Sequence, residues 1–393
     1  MSTGDANYIR NLNRELLLET ILRTESISRS ELSRSTGLNK ATVSVQVQSL
    51  IEDKIIRETR IETLQTPGRR PTLLEMNGDY GFSIGIDLDY KKARIVFINL
   101  KGKPFYTKVL PCKDENIDTI VSEVKSHLSP LIKQTESTLP FFKLRGICLG
   151  IHGIINDREI IEFTPKQKWT DVDLKDGLEK ELNVPVHIEN NANLSSYAEQ
   201  VYSENTSNLF CLTLYSGIGL GIIYNHKIYR GFQGFAGEIG HMVIEPNGKQ
   251  CDCGNKGCWE LYASENSLKE TLLSLGLGEN FNEIIKSVNA EETITTYIEY
   301  LSYGLNNIIN IFNPQRVIFN GSLINQNPDF IERLESSLRS KIIDYESIGT
   351  SKIGEFACAL GGAAFVLKTD LGVNTLNFTE LHYLKEINSI KHS

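Results

Sequence analysis

Apolar positions recur at helical spacing through the first fifty residues and change to short β-branched runs soon afterwards. Leu12, Leu16, Leu17, Ile21 and Leu22 share one face of a helix predicted over about Tyr8–Thr24. Ser28-Arg29-Ser30-Glu31 has the form of a capping box. The serine oxygen takes a free amide of the first turn, and the glutamate reaches back to the cap. It opens a second helix, which Gly37 ends because glycine enters the left-handed region without a Cβ clash. Asn39 caps a third helix, with Val43, Val47, Leu50 and Ile51 facing inward. Ile55–Thr59 and Pro71–Met76 then read as short strands around the turn Thr66-Pro67-Gly68-Arg69-Arg70-Pro71. Three helices followed by a hairpin is the layout of a winged helix-turn-helix, placed at residues 1–77.

Beyond Gly78 strands and helices interleave, which predicts an α/β body over 78–393. Phe82–Leu88 and Ala93–Leu100 read as strands joined by a tight turn. Ile117–Leu128 reads as a helix that Pro130 stops. Leu144–Leu149, Val184–Ile188, Leu209–Leu214, Gly219–Tyr224 and Val317–Asn320 are further strands. Leu194–Tyr202 and most of 265–312 are helical, and Ala357–Leu367 is a helix containing Gly-Gly. No short repeat and no low-complexity tract interrupts the pattern, and the last twenty or so residues are polar.

Composition narrows the class. The chain has 393 residues, 40% hydrophobic and 23% charged, the profile of a globular protein with room for two or three domains. No apolar run reaches the ~18–20 residues of a membrane helix and no apolar leader opens the chain, so a cytoplasmic setting with reduced cysteines is expected. The net charge of −8 argues against nucleic acid only until it is localised. Residues 1–80 carry 11 basic and 11 acidic residues, so the charge belongs to the body and the head is neutral.

Four groups of residues carry candidate chemistry. On the third helix Lys40, Thr42, Ser44, Gln46 and Gln48 are the polar positions, with Asn39 at its start. Short polar and amide side chains near a helix N-terminus suit phosphates and base edges in a major groove, and Arg69 and Arg70 sit at a wing tip. His241, Cys251, Cys253 and Cys258 supply one imidazole and three thiolates, a closed tetrahedral zinc set of the structural kind, pinning a loop over 241–258. Gly237-Glu238-Ile239-Gly240-His241 and Trp259-Glu260 bring carboxylates beside an imidazole whose second nitrogen stays available, which suits a polyhydroxyl ligand. Glu189-Asn190-Asn191-Ala192-Asn193 follows a strand, where open α/β sheets bind ligands, and equally reads as an asparagine cap on the next helix. The glycines of Ser216–Gly221 and Asn320-Gly321-Ser322 fit either a phosphate cradle or ordinary tight turns.

These residues resemble the ROK family of repressors and sugar kinases. The matching parts are the zinc loop, the Gly-Glu-Ile-Gly-His block, Glu189-Asn190-x-Ala192-Asn193 and the turn Ile151-His152-Gly153. The N-terminal unit with Gly68-Arg69-Arg70-Pro71 is similar to the repressor branch, and most of all to its xylose-responsive members. The resemblance implies an actin-like sugar-kinase fold of two lobes. It also implies a monosaccharide held by Asn190, Asn191, Glu238, His241 and Glu260, operator DNA as partner, and a homodimer or tetramer. Kinases of the family resemble Asp-x-Gly-Gly-Thr where this chain has Asp87-Leu88-Asp89-Tyr90-Lys91, and they carry an aspartate general base where it has Asn191. An amide cannot accept the proton of a sugar hydroxyl. The expectation is therefore a sugar-responsive repressor without catalysis, set against an ATP-dependent sugar kinase bearing a DNA domain and a co-repressor that docks through its acidic body.

Overall fold

A computed structural model describes residues 6–60, 72–112, 116–203, 205–278 and 280–378. The head begins with α1 (Ala6–Thr24), β1 (Ser26–Ser28), α2 (Arg29–Thr36) and α3 (Lys40–Glu52). It continues with β2 (Ile56–Arg60) and β3 (Thr72–Met76), and the three strands form an antiparallel sheet in the order β1-β3-β2. Both sides of the predicted capping box are made: the Glu31 amide donates to Ser28 Oγ at 3.3 Å, and the Ser28 amide to Glu31 Oε2 at 3.1 Å. Gly37 caps the end of α2 at φ 71°. The strand Ser26–Ser28 was not foreseen, since three residues flanked by helices leave no alternation to read.

The body opens with β4 (Gly81–Leu88), β5 (Lys92–Asn99), β6 (Pro104–Pro111), α4 (Ile117–Thr138) and β7 (Lys143–Ile151). Three short strands follow, β8 (Ile154–Ile155), β9 (Ile161–Phe163) and β10 (Thr170–Val172), then α5 (Lys175–Leu182), β11 (Val186–Asn190) and α6 (Asn191–Tyr202). The second half runs through β12 (Leu209–Thr213), β13 (Gly219–Tyr224), β14 (Lys227–Ile228), α7 (Glu260–Ala263), α8 (Glu265–Ser274) and α9 (Phe281–Ile284). It closes with α10 (Glu291–Phe312), β15 (Arg316–Asn320), α11 (Asp329–Ser337), β16 (Ser347–Thr350) and α12 (Ala357–Leu371).

The two halves share one topology. Each has a five-stranded sheet, in the orders β11-β7-β4-β5-β6 and β14-β13-β12-β15-β16. In each, three consecutive strands pair antiparallel, and two later strands add in parallel on the other side of the first. This is the two-lobed actin-like arrangement. Helices α12 and α6 lie between the lobes, α12 on β4 and β7 and α6 on β12 and β13. Their approach requires glycine: a Cβ added at Gly361 would sit 1.9 Å from the Leu194 carbonyl oxygen, and one at Gly85 1.7 Å from that of Ala359.

Helix α4 corrects the expected stop at Pro130, because it runs on to Thr138 with Pro130 inside it. Pro130 is exposed, so the backbone carbonyl that loses its partner faces water, while Leu131 and Ile132 beyond it keep packing on the first sheet. Residues 379–393, including the polar tail, lie outside the described residues. Among the described residues no helix is long and apolar enough to cross a membrane. A single apolar cluster joins head to body, from Leu17, Leu32, Val47 and Leu74 of the head to Ile98, Leu100, Tyr202 and Phe378 of the body.

Glu199 of α6 is buried within the body and accepts a hydrogen bond from Ser351 Oγ, which itself accepts from the amides of Ile353 and Gly354 before α12. Burial pushes its carboxyl up to about 7, with the serine contacts opposing. A folded-state value raised above the unfolded one gives stability that is full below about pH 4.5 and is lost as pH rises through 7. Glu199→Gln should therefore match wild type near pH 5 and exceed it at pH 8, by up to about 3 kcal/mol in urea unfolding. Parallel pH curves for the two proteins would refute the assignment.

Candidate functional site

The carboxyl ends of the parallel strands in both lobes point into one cleft, as expected of open α/β sheets. One part is a cavity of about 340 Å³ with Asn190, Asn191, Glu238, His241 and Glu260 in its walls. Strand β11 ends at Asn190, whose Oδ1 accepts the amides of Ala192 (2.8 Å) and Asn193 (3.1 Å) and so caps α6. Its Nδ2 donates to the Gly153 carbonyl at 2.9 Å. Both readings of this asparagine hold together: it caps the helix and lines the cavity. Asn191, in the first turn of α6, has no side-chain hydrogen bond among the described residues and keeps its amide for the cleft.

The loop that follows Glu238 gathers four soft donors. The ligand atoms of His241, Cys251, Cys253 and Cys258 all lie within 4.8 Å of one another. Cys253 and Cys258 sulfurs are 3.6 Å apart, and His241 Nδ1 is 3.6 Å from Cys251 Sγ. A tetrahedral ion with metal–sulfur bonds of ~2.3 Å sets thiolates ~3.8 Å apart, so this cluster has the dimensions to hold a metal ion. Backbone bridges Val243–Cys258 and Gln250–Lys256 close the loop. Gly257, at φ 74°, lets it pass where a Cβ would strike the Glu245 carbonyl at 1.7 Å.

The ring of His241 divides its two nitrogens. Nδ1 faces the thiols, with Glu260 Oε1 at 3.6 Å, while Nε2 faces Glu238 Oε2 at 3.9 Å. Loss of water in the cleft wall pushes the Glu238 carboxyl above its ordinary value, His241 opposing and Glu260 adding. Two carboxylates, one imidazole nitrogen and two amides around a small polar cavity can bridge several hydroxyls at once.

A second cavity of about 630 Å³ adjoins the first, and the two share His152, Asn191, Thr213, Tyr215 and Ser216. Several of its charges are paired internally, while Asp89, Lys91 and Lys352 also line it. Arg94 donates to Asp87 at 2.7 Å, with side chains only 7% and 5% exposed, and lies 3.5 Å from Glu355. His152 Nε2 meets the other Asp87 oxygen at 2.8 Å. Burial alone would raise the Asp87 carboxyl, but His152 and Arg94 hold it below its ordinary value. Opposite, the buried Glu265 carboxylate accepts the amides of Ser322 (3.1 Å), Leu323 (2.5 Å) and Ile324 (3.2 Å). The turn after Asn320-Gly321 is thus a cradle for an anion, and the anion is Glu265.

On the head, Lys40, Ser44 and Gln48 are exposed on α3, and Thr42 is half-buried. Asn39 spends its Oδ1 on the Thr42 amide at 2.8 Å. Gln46 departs from the expected outward face: it is 6% exposed and its Nε2 donates to the Arg10 carbonyl of α1 at 3.3 Å. Arg69 and Arg70 lie outside the described residues.

Comparison with known proteins decides the family. Residues 83–369 match the ROK family, and residues 10–57 match the winged helix-turn-helix DNA-binding family. The chain belongs to the ROK family. It is 35% identical over 392 residues to the xylose repressor of Bacillus subtilis strain 168, covering 96% of this chain and 100% of that one. The crystal structure of a ROK family transcriptional regulator, a homologue of the E. coli MLC protein, superposes with a TM-score of 0.79 at 21% identity, covering 98% of this chain and 100% of that one. A ROK family glucokinase from Streptomyces griseus, solved with glucose and AMPPNP, gives 0.63 at 24%, covering 72% of this chain and 99% of that one. At such identities both structures speak to the fold alone.

The ROK cleft here also contains Arg94 and Tyr215, which sequence reading passed over, and the pairing of Asp87 with Arg94 and His152; Glu265 is buried behind its wall. One signal was available. A hairpin with its turn at Asp89–Lys91 sets Asp87 directly opposite Arg94, the register observed. Arg94→Met should leave a buried, half-paired aspartate and reduce unfolding free energy by about 3–5 kcal/mol in urea titrations. Adding Asp87→Leu should restore a large part of it, and a fully stable single variant would count against the buried pair.

Proposed function

We propose that this ROK protein is a sugar-responsive, DNA-binding transcriptional repressor acting in the cytoplasm, with xylose as its effector. The observation that carries the reading is that a winged helix-turn-helix head shares one continuous apolar cluster with a body whose cleft is walled by Asn191, Glu238, His241 and Glu260. Likeness to the xylose repressor of B. subtilis supports xylose. The DNA side rests on α3, with Asn39, Lys40, Thr42 and Ser44 at its N-terminal end and Arg69 and Arg70 on the wing. Two heads on a homodimer, or a tetramer, span operator half-sites a whole number of helical turns apart.

In the cleft, Glu238 and His241 Nε2 accept or donate to neighbouring sugar hydroxyls, with Glu260, Asn190 and Asn191 completing the ring of partners. Three thiolates and one imidazole suit zinc, on His241, Cys251, Cys253 and Cys258. The ion would close the loop and fix the His241 ring through Nδ1, so that Nε2 is aimed at the ligand. Phosphoryl transfer is disfavoured on three counts. Asn191 cannot take the hydroxyl proton, Asp89 places negative charge on the turn at the second cavity, and Glu265 already fills the amide cradle.

The signal leaves the cleft along α12. That helix starts beside the second cavity at Cys358, and the segment after it ends against the head. The amides of Asn374 and Thr375 donate to Glu19 of α1 at 3.0 and 2.7 Å, and Asn374 Nδ2 bonds Glu15. Lys101 holds Glu75 of the wing strand at 2.9 Å. Closing the lobes on sugar therefore moves the base on which each head sits, and half-site spacing with it.

Glu238→Ala should abolish the sugar's effect on operator binding and leave sugar-free DNA binding within about two-fold, measured by fluorescence anisotropy with and without xylose. A variant that still responds at the wild-type xylose concentration, or wild-type protein that phosphorylates sugar at ordinary enzyme rates, would overturn the reading. Protein purified without added metal should contain about one zinc per chain by elemental analysis, and Cys253→Ser should lower both zinc content and xylose response. Folded, xylose-responsive protein without zinc would refute that assignment.

A further inference from the structure

The outward face of α3 is not wholly polar. Val45 is 69% exposed, and Ala41, one turn before it, is exposed as well. The inward stripe of Val43, Gln46, Val47 and Leu50 already supplies the helix with its packing. A β-branched residue in mid-helix loses rotamer freedom and, held in water, returns no burial. Among the described residues of the head nothing covers it. Its neighbours on that face are Ser44 and Gln48.

Charge orients this face. The first turn of α3 has Lys40 and no acidic residue. The acidic residues stand at the other end, where Asp53 is paired with Arg14 at 2.9 Å. The N-terminal half is therefore the end that tolerates phosphates. Gln48 gives one amide hydrogen to Glu52 at 3.0 Å and keeps a second N–H and its Oε1, the pair that adenine N7 and N6 require. The only apolar group that a B-form major groove offers is the C5-methyl of thymine.

We propose that Val45, backed by Ala41, reads a thymine methyl group in each operator half-site, through an apolar contact on α3. This rests on the reading of α3 as the helix that enters the major groove, and it adds the base that the helix selects. The contact distinguishes thymine from cytosine, which lacks the methyl and turns an amino group toward the same space.

The test uses the full-length protein. Duplexes that it binds are selected from a random-sequence library, and each thymine of the selected site is replaced in turn by 2′-deoxyuridine, which deletes the methyl group and nothing else. One thymine per half-site should respond, with binding weakened about four-fold for each methyl removed. Val45→Ala, an exposed change to a better helix former, should bind thymine and uracil duplexes equally. The proposal is overturned if no thymine responds in the wild type, or if Val45→Ala keeps the full uracil penalty. A protein that selects no duplex at all overturns the DNA-binding reading, and this one with it; a selected site insensitive to uracil leaves that reading standing and removes only the role of Val45.

Discussion

The backbone contact between α6 and α12 is the constraint on which the rest of the molecule depends. Side chains at Gly361 or Gly85 would force the helices and the first sheet apart, since the carbonyl oxygens of Leu194 and Ala359 already occupy that space. Because the helices meet at backbone distance, the two sheets stand with their parallel strand ends facing one another. Because α6 starts at Asn191 and α12 starts just before Cys358, both helices begin at the cleft. Packed interiors are bistable rather than soft, so under the proposed reading a change at the cleft would move these helices as units.

The cleft divides by how its charges are spent. In the larger cavity they are turned on one another: Asp87 with Arg94 and His152, Glu265 with three backbone amides. Amides that donate to a buried carboxylate in this way offer no free N–H to an incoming phosphate, and displacing the carboxylate would cost several kcal/mol. In the smaller cavity Asn190 is committed to the helix cap and the Gly153 carbonyl, but Asn191 and His241 Nε2 are not. Among the described residues the Asn191 amide has no partner, and His241 Nε2 is 3.9 Å from Glu238, too far for a direct hydrogen bond. Groups that have little to lose from a ligand's arrival are those that bind it.

Much of this was legible in the sequence because it is local. A capping box, a left-handed glycine and a Cys-x-Cys…Cys cluster depend on neighbours within a few residues, and each stands where the chain predicts. Gln46 was misplaced because it was sorted by polarity. Its spacing from Val43 and Leu50 is i+3 and i−4, which puts it on the inward stripe, and its amide is satisfied by the Arg10 carbonyl. Val45 was passed over by the same rule in reverse. Pro130 failed as a stop because the cost of proline falls on one carbonyl, and on an exposed face water meets it. The equivalence of the two lobes left no trace in spacing, since it is a likeness of strand order. Glu265 was invisible for another reason: apart from Lys269 and the Ser322 hydroxyl, its partners are backbone amides nearly sixty residues away, which carry no sequence identity.

Coupling between cleft and head is bounded by simple magnitudes. Shifting a two-state protein from one percent to ninety-nine percent of the other state needs a differential affinity of ~5.5 kcal/mol. A pentose has about ten non-hydrogen atoms, and the best small ligands gain up to ~1.5 kcal/mol per atom, so the sugar can supply this only if most of its contacts exist in one state alone. The divided cleft provides for that. Glu238, His241 and Glu260 come from the second half of the body, and Asn190 and Asn191 from the junction of β11 and α6, so the walls of the smaller cavity are drawn from both sides of the cleft. The head is not a tethered bead. Its core continues into that of the body, and Glu15 and Glu19 of α1 grip the backbone that follows α12. A flexible tether would let two heads find their half-sites whatever the cleft did. In the proposed repressor, the shared core is what would tie the placement of each head to the cleft.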